Sequence, residues 1–126
     1  MNLGPISKVR QAMAGLGSEI MDKSRKHALL DFLQRKVFDP VLNAKPDGRP
    51  EADIAKLEHV QKATEADAAR YRRYVSADEV VTNFKRDLSS AAAKTIHAQL
   101  RQLRLPTIAD IRDEFEDLAD GPGRRT

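Results

Sequence analysis

The sequence predicts an all-α protein, an up-and-down helical bundle built on a long antiparallel hairpin (about 51–74 and 77–104) with short terminal helices. Three observations carry this. Strand signals are nearly absent: the 126 residues hold two Tyr, four Phe and no Trp, and no β-branched run alternates with polar residues. Apolar residues recur at every third or fourth position, the period of one helix face. The intervening positions are rich in Ala, Leu, Lys, Arg, Glu and Gln, all strong helix formers.

The first helix is expected over Ile6–Ala14, where Leu3, Ile6, Val9, Met13 and Leu16 form one apolar stripe. Gly15 and Gly17 read as its stop, because glycine reaches left-handed φ without a Cβ clash, and Ser18 as the cap of the next helix. Residues 1–17 are thus a separate short amphipathic element, mobile or an oligomer contact, before a bundle domain at 18–120. The second helix, Glu19–Phe38, has an apolar centre at Ala28–Leu33 and should be buried. Pro40 should stop it, since a residue before proline is pushed out of the α region, with a short helical turn at Val41–Ala44 beyond. Lys45–Pro50 holds two prolines, an Asp-Gly pair and no apolar residue, which marks an exposed loop.

The third helix is expected from Glu51 to Tyr74, with Ile54, Leu57, Thr64, Ala68 and Tyr71 on one face and Val60 beside it. Ser76–Glu79 is a capping box, in which Ser accepts from the Glu N–H and Glu returns to the Ser N–H. A fourth helix should follow from Ala77 to Arg104. Its stripe, Val81, Phe84, Leu88, Ala92, Ile96, Leu100 and Leu103, has spacings of three and four throughout, and 28 residues would span ~42 Å. The short connection Val75–Ser76 favours pairing it antiparallel with the third helix. Pro106 ends it, Thr107 caps a fifth helix over Ile108–Ala119 packed through Ile108, Ile111, Phe115 and Leu118, and residues 121–126 form a frayed tail.

Composition narrows the function classes. Leu, Ile, Val and Phe number 29 of 126 residues, about 23%, enough for a thin core topped up by alanine. There is no Cys, which excludes disulfides, thiolate metal sites and Cys nucleophiles. No apolar run approaches the ~20 residues that span a bilayer, and no export signal opens the chain, so the cytoplasm is expected and no membrane partner. With 22 Lys plus Arg against 19 Asp plus Glu, the net charge of +3 is too small to require nucleic acid.

The charge is unevenly placed. Residues 1–106 carry 19 basic and 13 acidic side chains, and residues 107–126 carry 3 and 6. On a continuous fourth helix, Arg86, Lys94, His97, Arg101 and Arg104 fall within ~80° of one another and opposite the apolar stripe. On the fifth, Asp110, Asp113, Glu114 and Asp117 form an acidic face. Strips of opposite sign that meet steer and orient association.

No catalytic constellation stands out. His27, His59 and His97 have no second His at i+3 or i+4, and the residues three before them are Ser24, Lys56 and Lys94, so the Glu-x-x-His of di-metal bundles is missing. No Gly-rich phosphate loop, Gly-x-Ser-x-Gly elbow or His-Glu-x-x-His occurs. The expectation is a protein with no catalytic residue, cofactor or metal; an enzyme would need a deep cleft with converging polar groups, sought first around His27 or His97.

The preferred reading is a non-enzymatic helical interaction module that forms a homo-oligomer. Its candidate contacts are Arg70, Arg72, Arg73, Arg86, Lys94, His97, Arg101 and Arg104 on the basic side and Asp110, Asp113, Glu114 and Asp117 on the acidic side. The alternative is a small nucleic-acid-binding protein. Arg70-Tyr71-Arg72-Arg73-Tyr74 interleaves cations with aromatics. A helix-turn-helix can also be drawn through Gly15–Gly17, with Lys23, Arg25, Lys26 and His27 facing the groove.

Overall fold

The computed structural model describes residues 4–121, with side chains from Gly17 onward. It is an all-α bundle, and no strand occurs among the described residues. The first finding corrects the sequence reading: α1 runs from Gly4 to Leu33 without a break, so Gly15 and Gly17 neither end a helix nor open one at Ser18. A helical glycine costs about 1 kcal/mol relative to alanine, a cost that a 30-residue helix carries. The unbroken backbone also removes the turn of the helix-turn-helix. The stripe from Leu3 to Leu16 and the tail beyond Gly121 lie outside the described side chains.

Pro40 does not stop the helix as expected. Residues Gln34–Phe38 form a π turn and lead directly into α2, Asp39–Leu42. Proline has no N–H and its ring crowds the carbonyl four residues back. The wider turn shifts the register, with Asp39 N–H bonding Gln34 O five residues back, and Pro40 falls in the first turn of α2, where no N–H is missed. The Gln34 amide donates to the Asp39 carboxylate at 2.6 Å and braces the turn. The loop follows at 43–50, two residues earlier than the expected 45–50. Gln61 closes the end of α2 by donating to Val41 O at 3.1 Å and Ala44 O at 2.9 Å.

Helix α3 runs from Glu51 to Arg72, near its expected bounds. Ser76 caps α4 by accepting from Glu79 N–H at 3.2 Å. The return leg of the capping box is displaced by one residue, since Glu79 accepts from Val75 N–H at 2.6 Å rather than from Ser76. A second donor at this end, Ala77 N–H, is satisfied by Asp22 of α1 at 3.3 Å.

The long fourth helix of the sequence reading is two helices, α4 (Ala77–Ser89) and α5 (Ala91–Gln102). Ser90 is extended, at φ −71° and ψ 145°. It ends one helix and starts the next: its N–H bonds Arg86 O at 3.0 Å, and its hydroxyl accepts from Ala93 N–H at 3.1 Å. The expected hairpin is therefore replaced by another pairing. Helix α4 packs on α1, and α5 packs on α3. Val80, not Val81, is the fully buried valine of α4.

Helix α5 ends in a Schellman motif, with Leu105 N–H on Leu100 O at 2.9 Å and Arg104 N–H on Arg101 O at 3.0 Å. Arg104 holds the left-handed position that glycine usually takes, at φ +60°. Thr107 and Asp110 then cap reciprocally, Thr107 N–H to the Asp110 carboxylate at 3.0 Å and Asp110 N–H to Thr107 Oγ1 at 3.3 Å. The capped segment is a turn, and α6 proper spans Arg112–Asp120. Its inner face is completed by Ala119, while Leu118 is exposed.

The buried side chains fall into two clusters. The larger joins Leu29, Leu33, Val37 and Phe38 to Ala68 and Tyr71 of α3, Ala77, Val80 and Phe84 of α4, and Ile108, Ile111, Phe115 and Ala119. The Phe84 and Phe115 rings stack at its centre, 3.8 Å apart at 22°. The smaller joins Val41, Leu57, Val60, Leu100 and Leu103. Helix α3 crosses from one to the other without interruption. The other three passages coincide with irregular backbone, at the π turn before Pro40, at Ser90, and at the left-handed Arg104 between Leu103 and Ile108.

Candidate functional site

A cleft of about 230 Å³ opens where the two cores meet. Val37, Phe38, Tyr71 and Ile108 reach it from the larger core, Ile96 and Leu100 from the smaller, and Ser90 lies at its edge. Helix α3 contributes Thr64, Asp67, Arg70 and Tyr71, spaced three and four so that they share one face. Asp87 comes from the end of α4 and His97 from α5. The extended Ser90 separates α5 from α4, so the two lining residues come from different helices.

Asp87 is the hub. Its Oδ2 accepts from the Tyr71 hydroxyl at 2.7 Å and from Arg70 Nη2 at 2.8 Å. Arg70 also donates to Asp67 Oδ1 at 3.1 Å and to the Tyr74 hydroxyl, and its guanidinium lies 5.0 Å from the Tyr71 ring centre. Burial opposes the Arg70 charge, but its bonds to Asp87, Asp67 and Tyr74 outweigh that and hold it firmly protonated. Burial raises the Tyr71 phenol, and the bond it donates to Asp87 raises it further.

Burial also raises the Asp67 carboxyl above its ordinary value, against the pull of Arg70. It lowers the His97 imidazole, helped by the positive charge of Arg101 and opposed by Asp110, Asp67 and Asp87. No group of three or more His, Asp or Glu among the described residues is placed to hold a metal ion.

The basic strip drawn from the sequence does not lie along one helix. Its geometry required a continuous helix, and the break at Ser90 puts Arg86 on α4 and the others on or beyond α5. His97 is buried on the packed side, not opposite it. Arg70 is engaged by two carboxylates, and Arg86 lies 3.7 Å from Asp87 Oδ1. Arg72, Arg73, Lys94, Arg101 and Arg104 are exposed. On the acidic side, Asp113, Glu114 and Asp117 are exposed along α6, with Asp113 3.5 Å from Arg112, while Asp110 is drawn into the Thr107 cap.

Thr64 and Tyr71 are buried, as their place on the inner face of the third helix predicts, while nothing in the sequence pattern singles out Asp87. The available signal was the i, i+3 pairing of Asp67 with Arg70, which places opposite charges on the face that also bears Thr64 and Tyr71. The approach of Asp87 and His97 to that face depends on the bend at Ser90. His27 lies on a second, more open hollow of about 260 Å³ with Asp31, Gln34 and Tyr71.

No protein-family model, curated protein or solved structure matches the chain. No helix among the described residues is long and apolar enough to cross a membrane.

Proposed function

We propose that the protein is a non-enzymatic helical interaction module that pairs with a second copy of itself through the N-terminal part of α1. The observation that carries this reading is the root of that segment. Ile20 and Met21 are 64% and 73% exposed on a helix whose first side-chain ties to the bundle, among the residues with described side chains, come at Asp22, Arg25 and Lys26. In the sequence Ile6, Val9, Met13, Leu16 and Ile20 are spaced 3, 4, 3 and 4, and α1 carries that spacing without interruption. This alternation is the pattern of a two-helix seam, and it is complementary to itself. The acidic side chains of α6 and the exposed Arg and Lys side chains add charges of opposite sign that can orient two copies.

A binding module is favoured over an enzyme by the state of the cleft groups. Asp87 Oδ2 is engaged by Tyr71 and Arg70, and His97 has no hydroxyl or carboxylate hydrogen-bonded to it among the described residues, so no nucleophile and base are paired. Size-exclusion chromatography with light scattering tests the proposal. A dimer mass is expected at micromolar concentration, falling to the monomer in Ile20→Glu/Met21→Glu with the helical circular dichroism retained. A strict monomer at high micromolar concentration overturns it.

A further inference from the structure

The apolar stripe of α1 runs on into the bundle. At 100° per residue, the positions Ile6, Val9, Met13, Leu16 and Ile20 share one helix face with His27, Asp31 and Gln34, all within ~80°. Lys23 and Leu30 border that face. Asp22, Leu29 and Leu33 lie on the opposite side of the helix, Asp22 bonded to the start of α4 and the two leucines buried. Between residues 27 and 34 the outer face becomes one wall of a hollow of about 260 Å³, with Ala68, Tyr71 and Arg72 of α3 as the other wall. The deeper lining is apolar: Phe38, Ala68 and Tyr71 are buried, and Leu30 packs on the larger core. His27, Asp31 and Arg72 are exposed around it.

A seam confined to residues 6–20 would be short. It holds about two heptads, whereas coiled-coil patterns run for roughly three to four. Continued along the hollow to Gln34, the same face offers about four. Its next position after Ile20 is Lys23, and Lys23 sets the direction. In a parallel pair Lys23 would face Lys23 and His27 would face His27, and like charges placed opposite each other disfavour that pairing. In an antiparallel pair the spacings match. Leu30, His27, Lys23 and Ile20, read backwards, are separated by 3, 4 and 3 residues, as Ile6, Val9, Met13 and Leu16 are read forwards. Lys23 then meets Met13, against which its methylene stem packs while the ammonium stays in water.

We infer that two copies pair antiparallel along this face, and that the N-terminal turns of one α1 cover the hollow of the other, with Ile6 of the second copy seated against Leu30, Ala68 and Tyr71. This rests on the self-pairing proposed above and adds its direction, its register and the surface where it ends. The hollow is thus a receptor for the partner's helix, and α3 belongs to the interface along with α1.

Disulfide trapping tests the arrangement in the full chain, which has no cysteine of its own. Val9→Cys and His27→Cys proteins are oxidised mildly as a mixture and separately, with light scattering on the reduced samples. A mixed disulfide is expected from the mixture and none from either variant alone, since the bond needs Cα atoms within about 7 Å. His27 is exposed, so its replacement spares the core, and retained helical circular dichroism checks this. Ile6→Cys mixed with Leu30→Cys should cross-link likewise, and Val9→Cys mixed with Ile20→Cys should not. Disulfides in the single-variant samples would mean a parallel pair. A Val9→Cys to Ile20→Cys bond would mean an antiparallel pair too short to reach the hollow. Either result, or a dimer that none of these pairs traps, overturns the inference and leaves self-pairing intact. A monomer overturns both.

Discussion

Pro40 and Ser90 mark two places where the chain passes from the larger core to the smaller, and they behave in opposite ways. At Pro40 a residue known for ending helices is absorbed, because the π turn gives the preceding N–H groups other carbonyls and delivers proline to a first turn. At Ser90 a helix ends without proline or glycine, because serine satisfies both sides of the break with its own N–H and hydroxyl. A helix ends where the freed backbone groups find partners and where packing gains from the bend. The bend at Ser90 sends Phe84 into one core and Leu100 into the other, and it opens the cleft.

The largest effect should come from emptying the two cores. Phe84→Ala and Leu100→Ala should each cost about 3–5 kcal/mol in urea denaturation. With the cores separate, the double variant should lose the sum to within ~0.5 kcal/mol, whereas Phe84→Ala with Phe115→Ala should fall short of additivity through their stacked rings. Strong coupling between Phe84 and Leu100 would mean a single continuous core and would break the comparison.

Next in size is a pH effect at the cleft. His97 is held below 6.5 by burial, chiefly, so on acidification the unfolded chain takes up this proton before the folded one. Its contribution to stability is complete above pH 6.5 and declines as pH falls below that value toward the lowered one, with a slope of at most about 1.4 kcal/mol per pH unit. Asp67 acts in the opposite sense at more acid pH. Its raised carboxyl pKa means the folded chain binds that proton first, and stability rises as pH falls from the raised value to 3.8. Urea midpoints taken through this range should show the slope just below pH 6.5, and His97→Gln should flatten it.

Ser90→Ala removes the cap of α5 and should cost about 1 kcal/mol. A stabilisation instead would show that a straight helix is the better state there. Gly17→Ala should give the smallest change, a gain of about 0.5–1 kcal/mol in thermal or urea stability. A Cβ at Gly17 would meet nothing within 4 Å. The helix stop that the sequence suggests would reverse the sign, because alanine is strained at the left-handed φ of such a stop.

The features legible in the sequence are those decided locally. The helical period, the loop at 45–50, the bounds of α3 and the serine cap at Ser76 depend on neighbours a few residues away, and so do the buried positions of Phe84, Leu100 and Phe115, whereas the helix expected from Ile108 begins only at Arg112. The break at Ser90 was hidden because apolar spacing continues unbroken from Leu88 through Ala92 to Ile96. Its one local sign was a serine followed by a run of alanines, which read as ordinary helix. The glycine pair misled in the other direction, since backbone freedom permits a stop without requiring one. His97 counted as surface because its face was assigned from a helix longer than the real one. The cleft could not be read at all, because it joins residues of the π turn, α3, α4, α5 and the turn at Ile108 through a break that the periodicity does not record.

Backbone and Cβ chemical shifts over residues 29–105 test the two-core arrangement most directly. Helical values are predicted without a gap from Leu29 through Leu42, across Pro40, and an extended value at Ser90 between helical runs at 77–89 and 91–102. Helical values running straight through Ser90, or a coil interval at 34–39, would contradict it.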